Sequence, residues 1–352
     1  MNGRTMCLSD LLLCSNASIR DAFTVVDMND LSDVFVVDDD NRLIGAVSEQ
    51  DLRRGLLNGV SLDDPIAPLV NPWRATASQA ADRAAVLDLM RALGVRSIPV
   101  VDSGNRVIGL HVERRIIGVP KLPNWAVIMA GGKGTRLAPL TKTIPKPMLT
   151  VAGRPILERL VLHLVGSGVE KIFLSVNYLA NIIEKHFGDG GHLGCSIEYL
   201  REDPDLPLGT GGALRLLGDL GYRAEHPLLV MNGDLVTNFS VGKLLEEHRR
   251  EQALATIATS RYHHEVPFGV LKSERNRLTQ IVEKPTQEWP VNAGIYALDP
   301  ALLDRIPADR EFPITHLFED CLSRGEKVAL WPLSDDWQDI GRPNELAQAR
   351  GQ

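Results

Sequence analysis

Ala130-Gly131-Gly132-Lys133-Gly134-Thr135-Arg136-Leu137, followed by Pro145-Lys146-Pro147, decides how this chain folds. It comes directly after the apolar run Trp125-Ala126-Val127-Ile128-Met129, which predicts a buried strand. A strand that opens into glycines and then two cations is suited to holding phosphates. Gly131, Gly132 and Gly134 permit positive φ and close backbone approach, and consecutive N–H groups in such a turn form an anion nest. Arg136 can grip phosphate oxygens bidentately, and Lys146 adds a point charge between two prolines that stiffen its segment. The glycines alone would serve an ordinary turn equally well. Arg136 and Pro-Lys-Pro at this spacing take the pattern beyond that.

Downstream of this loop, strand and helix patterns alternate. Pro155 marks a helix start, and Ile156, Leu157, Leu160, Val161 and Leu164 form an apolar face. Strands are predicted at 172–176, 197–200 and 228–231, with helical runs between them. The alternation predicts an α/β fold, a parallel sheet covered by helices on both sides. In such sheets ligands bind beyond the carboxyl ends of strands, which is where the Gly131 loop falls.

Upstream lies an internal repeat. Val36-Val37-Asp38-Asp39-Asp40-Asn41-Arg42-Leu43-Ile44-Gly45 recurs as Val100-Val101-Asp102-Ser103-Gly104-Asn105-Arg106-Val107-Ile108-Gly109, at an offset of 64 residues (109 − 45). Each copy predicts strand, polar turn, strand, after a helical pattern that is clearest over 80–93, where Ala84, Leu87, Met90 and Leu93 share a face. A unit repeated in this way packs against its twin. The expected organisation is an α+β repeat pair over 5–118, a linker over 119–124 and the α/β domain over 125–352.

Length and composition set outer bounds. The chain has 352 residues, 44% of them hydrophobic and 24% charged, with a formal net charge of −7. That balance speaks against a nucleic-acid or anionic-membrane partner. No apolar run is long enough to span a bilayer, and the N-terminus has no secretory pattern. Cys7, Cys14, Cys195 and Cys321 form no CxxC pair, so reduced thiols in a cytoplasmic setting are expected.

Four further segments suit phosphate chemistry. Leu208-Gly209-Thr210-Gly211-Gly212-Ala213 is a second glycine loop, expected to open a helix whose N-terminus recognises a base or phosphate, or else to be a tight loop capped by Thr210. Asp234, in Asn232-Gly233-Asp234, sits at a strand's carboxyl end and suits magnesium; a turn carboxylate bonding its own backbone is the alternative. Asp339, in Trp337-Gln338-Asp339-Ile340-Gly341, is a second acidic candidate. Glu283-Lys284-Pro285 and Asn292-Ala293-Gly294 offer groups for sugar hydroxyls and a sugar phosphate; a surface turn is the alternative for each.

In this order the motifs GGKGTRL with PKP, LGTGG, NGD, VEKP with NAG, and WQDIG resemble the sugar-1-phosphate nucleotidyltransferase family over about 125–345. The resemblance implies a Rossmann-like domain with a mixed, mostly parallel sheet, and attack by a sugar-1-phosphate on the α-phosphorus of a nucleoside triphosphate, with pyrophosphate leaving. It implies Arg136, Lys146 and Lys284 as catalytic cations, and Gly131, Gly132, Gly134, Thr135, Leu208, Gly209 and Thr210 as the nucleotide site. Glu283, Asn292 and Gly294 would hold the sugar, and Asp234 and Asp339 would hold Mg²⁺. The Pro207–Ala213 segment is similar to that of guanylyltransferases acting on mannose- or heptose-1-phosphate, and Glu202, Asp203 and the Leu208–Thr210 carbonyls offer acceptors for guanine. GTP is therefore the expected donor.

The repeat resembles a tandem CBS pair. That family implies an adenine-nucleotide ribose site at Ser48 and Asp51 of the first repeat; the second has Val112 and Arg115 at the matching positions. The alternative is that Asp51 caps a helix beginning at Leu52. A CBS pair before a transferase is similar to guanylyltransferases of bacterial legionaminic-acid pathways. This implies glucosamine-1-phosphate or its N-acetyl form as acceptor, a surface-glycan product, a regulatory nucleotide, and a homodimer or higher oligomer. Mannose- or heptose-1-phosphate remains the alternative acceptor. A CBS sensor with an inactive transferase scaffold, and a pterin-cofactor guanylylating enzyme, are the rival classes. The second lacks Pro-Lys-Pro, VEKP and WQDIG.

Overall fold

The computed structural model describes residues 7–29, 31–73, 75–113, 115–308, 310–333 and 337–351. Residues 5 and 6, the expected start of the repeat pair, and 352 lie outside them. Chain contacts divide the molecule into two units. One holds the chain as far as Leu122 together with Val161–Glu170 and Asp189–Ser196; the other holds Pro123–Leu160, Lys171–Gly188 and the chain from Ile197 onward.

In the first unit the repeat is visible bond by bond. Leu12–Cys14 pairs parallel with Asp33–Val37, which pairs antiparallel with Leu43–Ser48. The second copy places Ala77–Ser78, Ser97–Val101 and Val107–Val112 in the same relation, and Arg115–Ile117 adds a further strand. The helices Ile19–Asn29 and Arg83–Leu93 occupy equivalent places in the chain.

Each polar turn is closed by its leading aspartate. Asp38 Oδ1 accepts the N–H groups of Asp40 (2.9 Å) and Arg42 (2.7 Å), and Asp102 Oδ1 accepts those of Gly104 (2.8 Å) and Arg106 (2.9 Å). Asn41 and Asn105 both take φ 61°, a left-handed conformation that Asn tolerates better than most residues. The two turns then bond to each other reciprocally, Leu43 N–H to Asn105 O (3.0 Å) and Val107 N–H to Asn41 O (2.9 Å). Phe35, Ile19, Leu52, Ile66 and Leu110 are fully buried in the core beside them.

The second unit is built on a seven-stranded sheet in the order Ser196–Arg201, Lys171–Val176, Ala126–Met129, Leu228–Asn232, Thr286–Leu298, Ala255–Glu265, Val328–Pro332. Lys171–Val176 and Leu228–Asn232 flank Ala126–Met129 in parallel, whereas Thr286–Leu298 runs antiparallel to both its neighbours. The sheet is therefore mixed, as the family resemblance implies and not wholly parallel as the strand–helix alternation alone suggests. Near-continuous apolar runs suit strands covered on both faces. Val127, Phe173, Leu200 and Val230 pack with Leu317, Phe318 and Cys321 of the helix Ile314–Ser323. The helix after Pro155 spans Ile156–Gly166, and Ile156, Leu157, Leu160, Val161 and Leu164 are all buried. Among the described residues no helix is long and apolar enough to cross a membrane, and all four cysteines are free.

Candidate active site

At the carboxyl ends of the three central parallel strands lies a cavity of about 350 Å³. Its lining includes Gly131, Gly132, Arg136, Lys146, Gly209, Thr210, Asp234 and Asp339. These residues come from four separate sequence motifs.

The aspartates meet through a small antiparallel pair. Leu235–Thr237, directly after Asp234, pairs with Trp337–Asp339, with Leu235 opposite Asp339. Ile340 N–H donates to the Asp234 carbonyl at 3.1 Å, and Trp337 Nε1–H to the Ala293 carbonyl at 2.8 Å, which ties the WQDIG segment to the NAG turn. Lys146 Nζ donates to Asp234 Oδ2 and lies 3.9 Å from Asp339 Oδ1. Lys146 and Asp234 are largely enclosed, with side chains 13% and 22% exposed, whereas Asp339 is half-exposed. Asp234 Oδ1 is buried without a hydrogen-bond partner. Although half-exposed, the Asp339 carboxyl is raised above its ordinary range, first by partial desolvation in the cavity and then by the neighbouring Asp234 charge, with Lys146 opposing.

Two glycines shape this arrangement. Gly134 takes φ 60°, and a Cβ there would sit 2.8 Å from the Lys146 Cβ, so the loop lies flush against the lysine stem. Gly294 takes φ 70°, and a Cβ there would meet Asn232 Nδ2 at 2.5 Å. Gly134 and Thr135 are in the turn that carries Arg136 but lie outside the cavity lining. Leu208 is buried and is likewise outside the lining. The Arg136 guanidinium comes close to Gly341, 3.7 Å from the site of a Cβ there, and Asp339 Oδ1 is equally near that point.

The second glycine loop corrects an expectation. Its helix, Gly209–Gly212, has only four residues. The amides of Gly211 and Gly212 donate to the Phe312 carbonyl at 2.8 and 3.0 Å, and the Phe312 amide donates to the Leu208 carbonyl at 2.8 Å. Thr210 does not cap the helix; its hydroxyl accepts the Ile314 N–H at 3.1 Å. Much of the loop's polar backbone therefore anchors the following segment.

Glu283 and Lys284 occupy an exposed turn between Arg277–Val282 and Thr286–Leu298, outside the cavity lining. Asn292 Oδ1 accepts the Gly294 N–H at 2.9 Å, and this pair borders the cavity through Asn232. Ser175 and Asn177 also line the cavity, although no motif points to them, and so does Asn232, which opens the NGD motif but carries no predicted role of its own there. Their signal is positional: each is a polar residue at the carboxyl end of a parallel strand. Glu202 accepts the Ser175 hydroxyl (2.8 Å) and the Leu208 N–H (2.9 Å), joining two cavity walls.

In the first unit, Ser48 and Asp51 bond to each other. The helix begins at Glu49, not Leu52, with Ser48 as its cap. Ser48 Oγ accepts the Asp51 N–H (3.0 Å), and Asp51 Oδ2 accepts from Ser48 Oγ (2.6 Å), Ser48 N–H (3.3 Å) and Asn71 Nδ2 (3.2 Å).

Known proteins share this framework. The nucleotidyl transferase family model matches residues 125–352. The chain belongs to that family. The CBS domain model matches residues 10–58, the first repeat. Mannose-1-phosphate guanylyltransferase of Mycobacterium tuberculosis is 35% identical over 229 residues, covering 63% of this chain and 62% of that protein. UTP–glucose-1-phosphate uridylyltransferase of Synechocystis sp. is 32% identical over 239 residues, covering 64% and 62%. The chain thus spans about 62% of the length of these curated relatives. The solved structure of HddC from Yersinia pseudotuberculosis complexed with GMP-PN is 28% identical, with a TM-score of 0.50, covering 65% of this chain and 98% of that one. The family region and the cavity coincide, since every lining residue lies within 125–352.

Proposed function

We propose that the chain transfers a nucleotidyl group from a nucleoside triphosphate, with GTP as donor, to a sugar-1-phosphate. The observation that carries this is the convergence of Arg136, Lys146, Asp234 and Asp339 on one cavity beside Gly131 and Gly132. An anionic phosphate oxygen of the sugar-1-phosphate attacks the α-phosphorus, the bond to the β-phosphate oxygen breaks, and pyrophosphate departs. The nucleophile is already ionised, so positioning and charge neutralisation do the work. The Gly131–Thr135 turn cradles the triphosphate, Arg136 faces the departing pyrophosphate, and Lys146 neutralises charge growing at the α-phosphorus.

The residues present fit a divalent cation. Asp234 and Asp339 are hard oxygen donors facing one space, and the buried, unpartnered Asp234 Oδ1 is the kind of atom that a ligand satisfies. Among the described residues no group of three or more His, Cys, Asp or Glu forms a protein-only metal cage. Two carboxylates suit Mg²⁺, which takes one or two and completes its shell with water and phosphate. When bound, Mg²⁺ supplies charge neutralisation at the α-phosphate.

Glu283, Asn292 and Gly294 are assigned to the sugar hydroxyls, and Lys284 to the attacking phosphate. Guanine is favoured by the acceptor character of Glu202 and by the guanylyltransferase relative. The tandem repeat ahead of the transferase favours glucosamine-1-phosphate or its N-acetyl form for surface-glycan precursors. The name of the 35% identical relative favours mannose-1-phosphate. A matrix of nucleoside triphosphates against sugar-1-phosphates, read as pyrophosphate release with Mg²⁺, tests the assignment. GTP with a hexose-1-phosphate gives the highest turnover, and silence across the matrix removes the proposal in favour of an inactive scaffold.

A further inference from the structure

Lys146 stands in the place where a cation between the two aspartates belongs. Its Nζ donates to Asp234 Oδ2 and lies 3.9 Å from Asp339 Oδ1, while Asp234 Oδ1 is left buried and unpaired. One ammonium therefore serves a pair of carboxylates that it satisfies only in part. The base of the side chain is fixed. Pro145 and Pro147 flank it, the Met148 N–H bonds to the Pro145 carbonyl at 2.8 Å, the Leu149 N–H bonds to the Lys146 carbonyl at 3.1 Å, and Gly134 presses against the Cβ. The four-carbon stem beyond Cβ is the part able to move, and Arg136, Gly131 and Gly132 line the same cavity.

We propose that Lys146 is the resident counter-cation of the two-aspartate site and exchanges partners when substrate arrives. An ammonium and a divalent cation repel each other and seek the same carboxylate oxygens. A metal ion entering alone must expel Lys146, which then has no anion to meet. A triphosphate entering with the metal offers that anion. Metal and nucleotide consequently bind as a pair, each weakly in the other's absence, and by linkage each tightens the other by the same factor. The proposal rests on reading Asp234 and Asp339 as metal ligands.

The test is Mn²⁺ binding to the full chain without nucleotide, followed by the electron paramagnetic resonance signal of free Mn²⁺. Wild type binds weakly. Lys146→Met binds at least about tenfold more tightly, within the usual range of site-to-site coupling, and adding Asp234→Asn to that variant abolishes the gain. If Lys146→Met does not fold by thermal melting, Lys146→Gln carries the same test with the same expected direction. A folded Lys146 variant that binds Mn²⁺ no more tightly than wild type overturns the proposal, as does a gain that survives Asp234→Asn. Pyrophosphate release by wild type, measured alongside, separates the two readings. Turnover without the Mn²⁺ gain removes the counter-cation role alone, whereas the gain without turnover keeps that role and removes the transfer reaction.

Discussion

Asp234 and Asp51 are both aspartates that follow a strand, and the two regions treat them differently. Asp51 lies on the third residue of a helix, and its Oδ2 accepts from Ser48 Oγ, Ser48 N–H and Asn71 Nδ2. Its geometry is accounted for as a capping box, worth about 1 kcal/mol to the helix it starts. Asp234 has one oxygen against Lys146 and the other buried with nothing to bond. A buried unpaired acceptor costs roughly 1–3 kcal/mol, a cost that an incoming ligand removes. The contrast separates polar residues whose bonds the fold itself completes from those left for a ligand to complete.

The largest expected effect tests the unpaired side of that contrast. Asp234→Asn or Lys146→Ala lowers turnover by about a hundred- to a thousandfold, the scale for loss of one preorganised charge; near-normal pyrophosphate release in either variant contradicts the assigned roles. The next concerns a buried polar pair in the first unit. His111 Nδ1 lies 3.2 Å from an Arg83 guanidinium nitrogen, and burial, followed by the Arg83 charge, lowers the His111 pKa to about 4. The unfolded chain therefore takes up this proton first as pH falls. Stability from His111 is full above pH about 6.5 and is lost on acidification toward about 4, by about 3 kcal/mol in all. Denaturant melts of wild type and His111→Asn across that window check the sign: the variant's stability should vary less with pH, and an equal slope in both defeats the assignment.

A smaller effect is expected at the cavity border. Gly294→Ala places a Cβ against Asn232 at a left-handed backbone position, costing roughly 1–3 kcal/mol, and it should reduce turnover about tenfold through misplaced groups. A stable variant with unchanged kinetics would show that the Asn292–Gly294 turn has no part in the site. The smallest effect is at Asp51. Asp51→Asn should lower the stability of the first unit by about 1 kcal/mol and leave transferase turnover without nucleotide effectors unaltered. A collapse of turnover there would blur the distinction drawn between the two aspartates.

Much of the fold was legible because its signals are local. The 64-residue repeat could be found by comparing the chain with itself, and the Asp and Asn of each turn mark where the strands reverse. The parallel strands announce themselves as apolar runs ending in glycine or a polar residue. The site was legible as separate motifs but not as a constellation. Asp234 and Asp339 meet because two three-residue strands, about a hundred positions apart in the chain, pair with Leu235 opposite Asp339, and no periodicity in so short a segment predicts that pairing. The same limit explains Gly211 and Gly212, whose amides go to Phe312, and Glu202, which bridges Ser175 and Leu208. Phe312 and Ser175 are distant in sequence from the residues they bond, so that bonding could not be assigned from chain neighbours. Lys284 shows the converse: a motif resemblance placed it at the chemistry, while its turn lies outside the cavity lining.

The most direct test follows the α-phosphate. GTP labelled at the α-phosphorus, incubated with the full chain, Mg²⁺ and a hexose-1-phosphate, should pass its label to a sugar nucleotide in step with unlabelled pyrophosphate, and Asp234→Asn should abolish both. Label that stays in GTP or appears as free GMP, with every nucleoside triphosphate and sugar phosphate tried, would contradict the account.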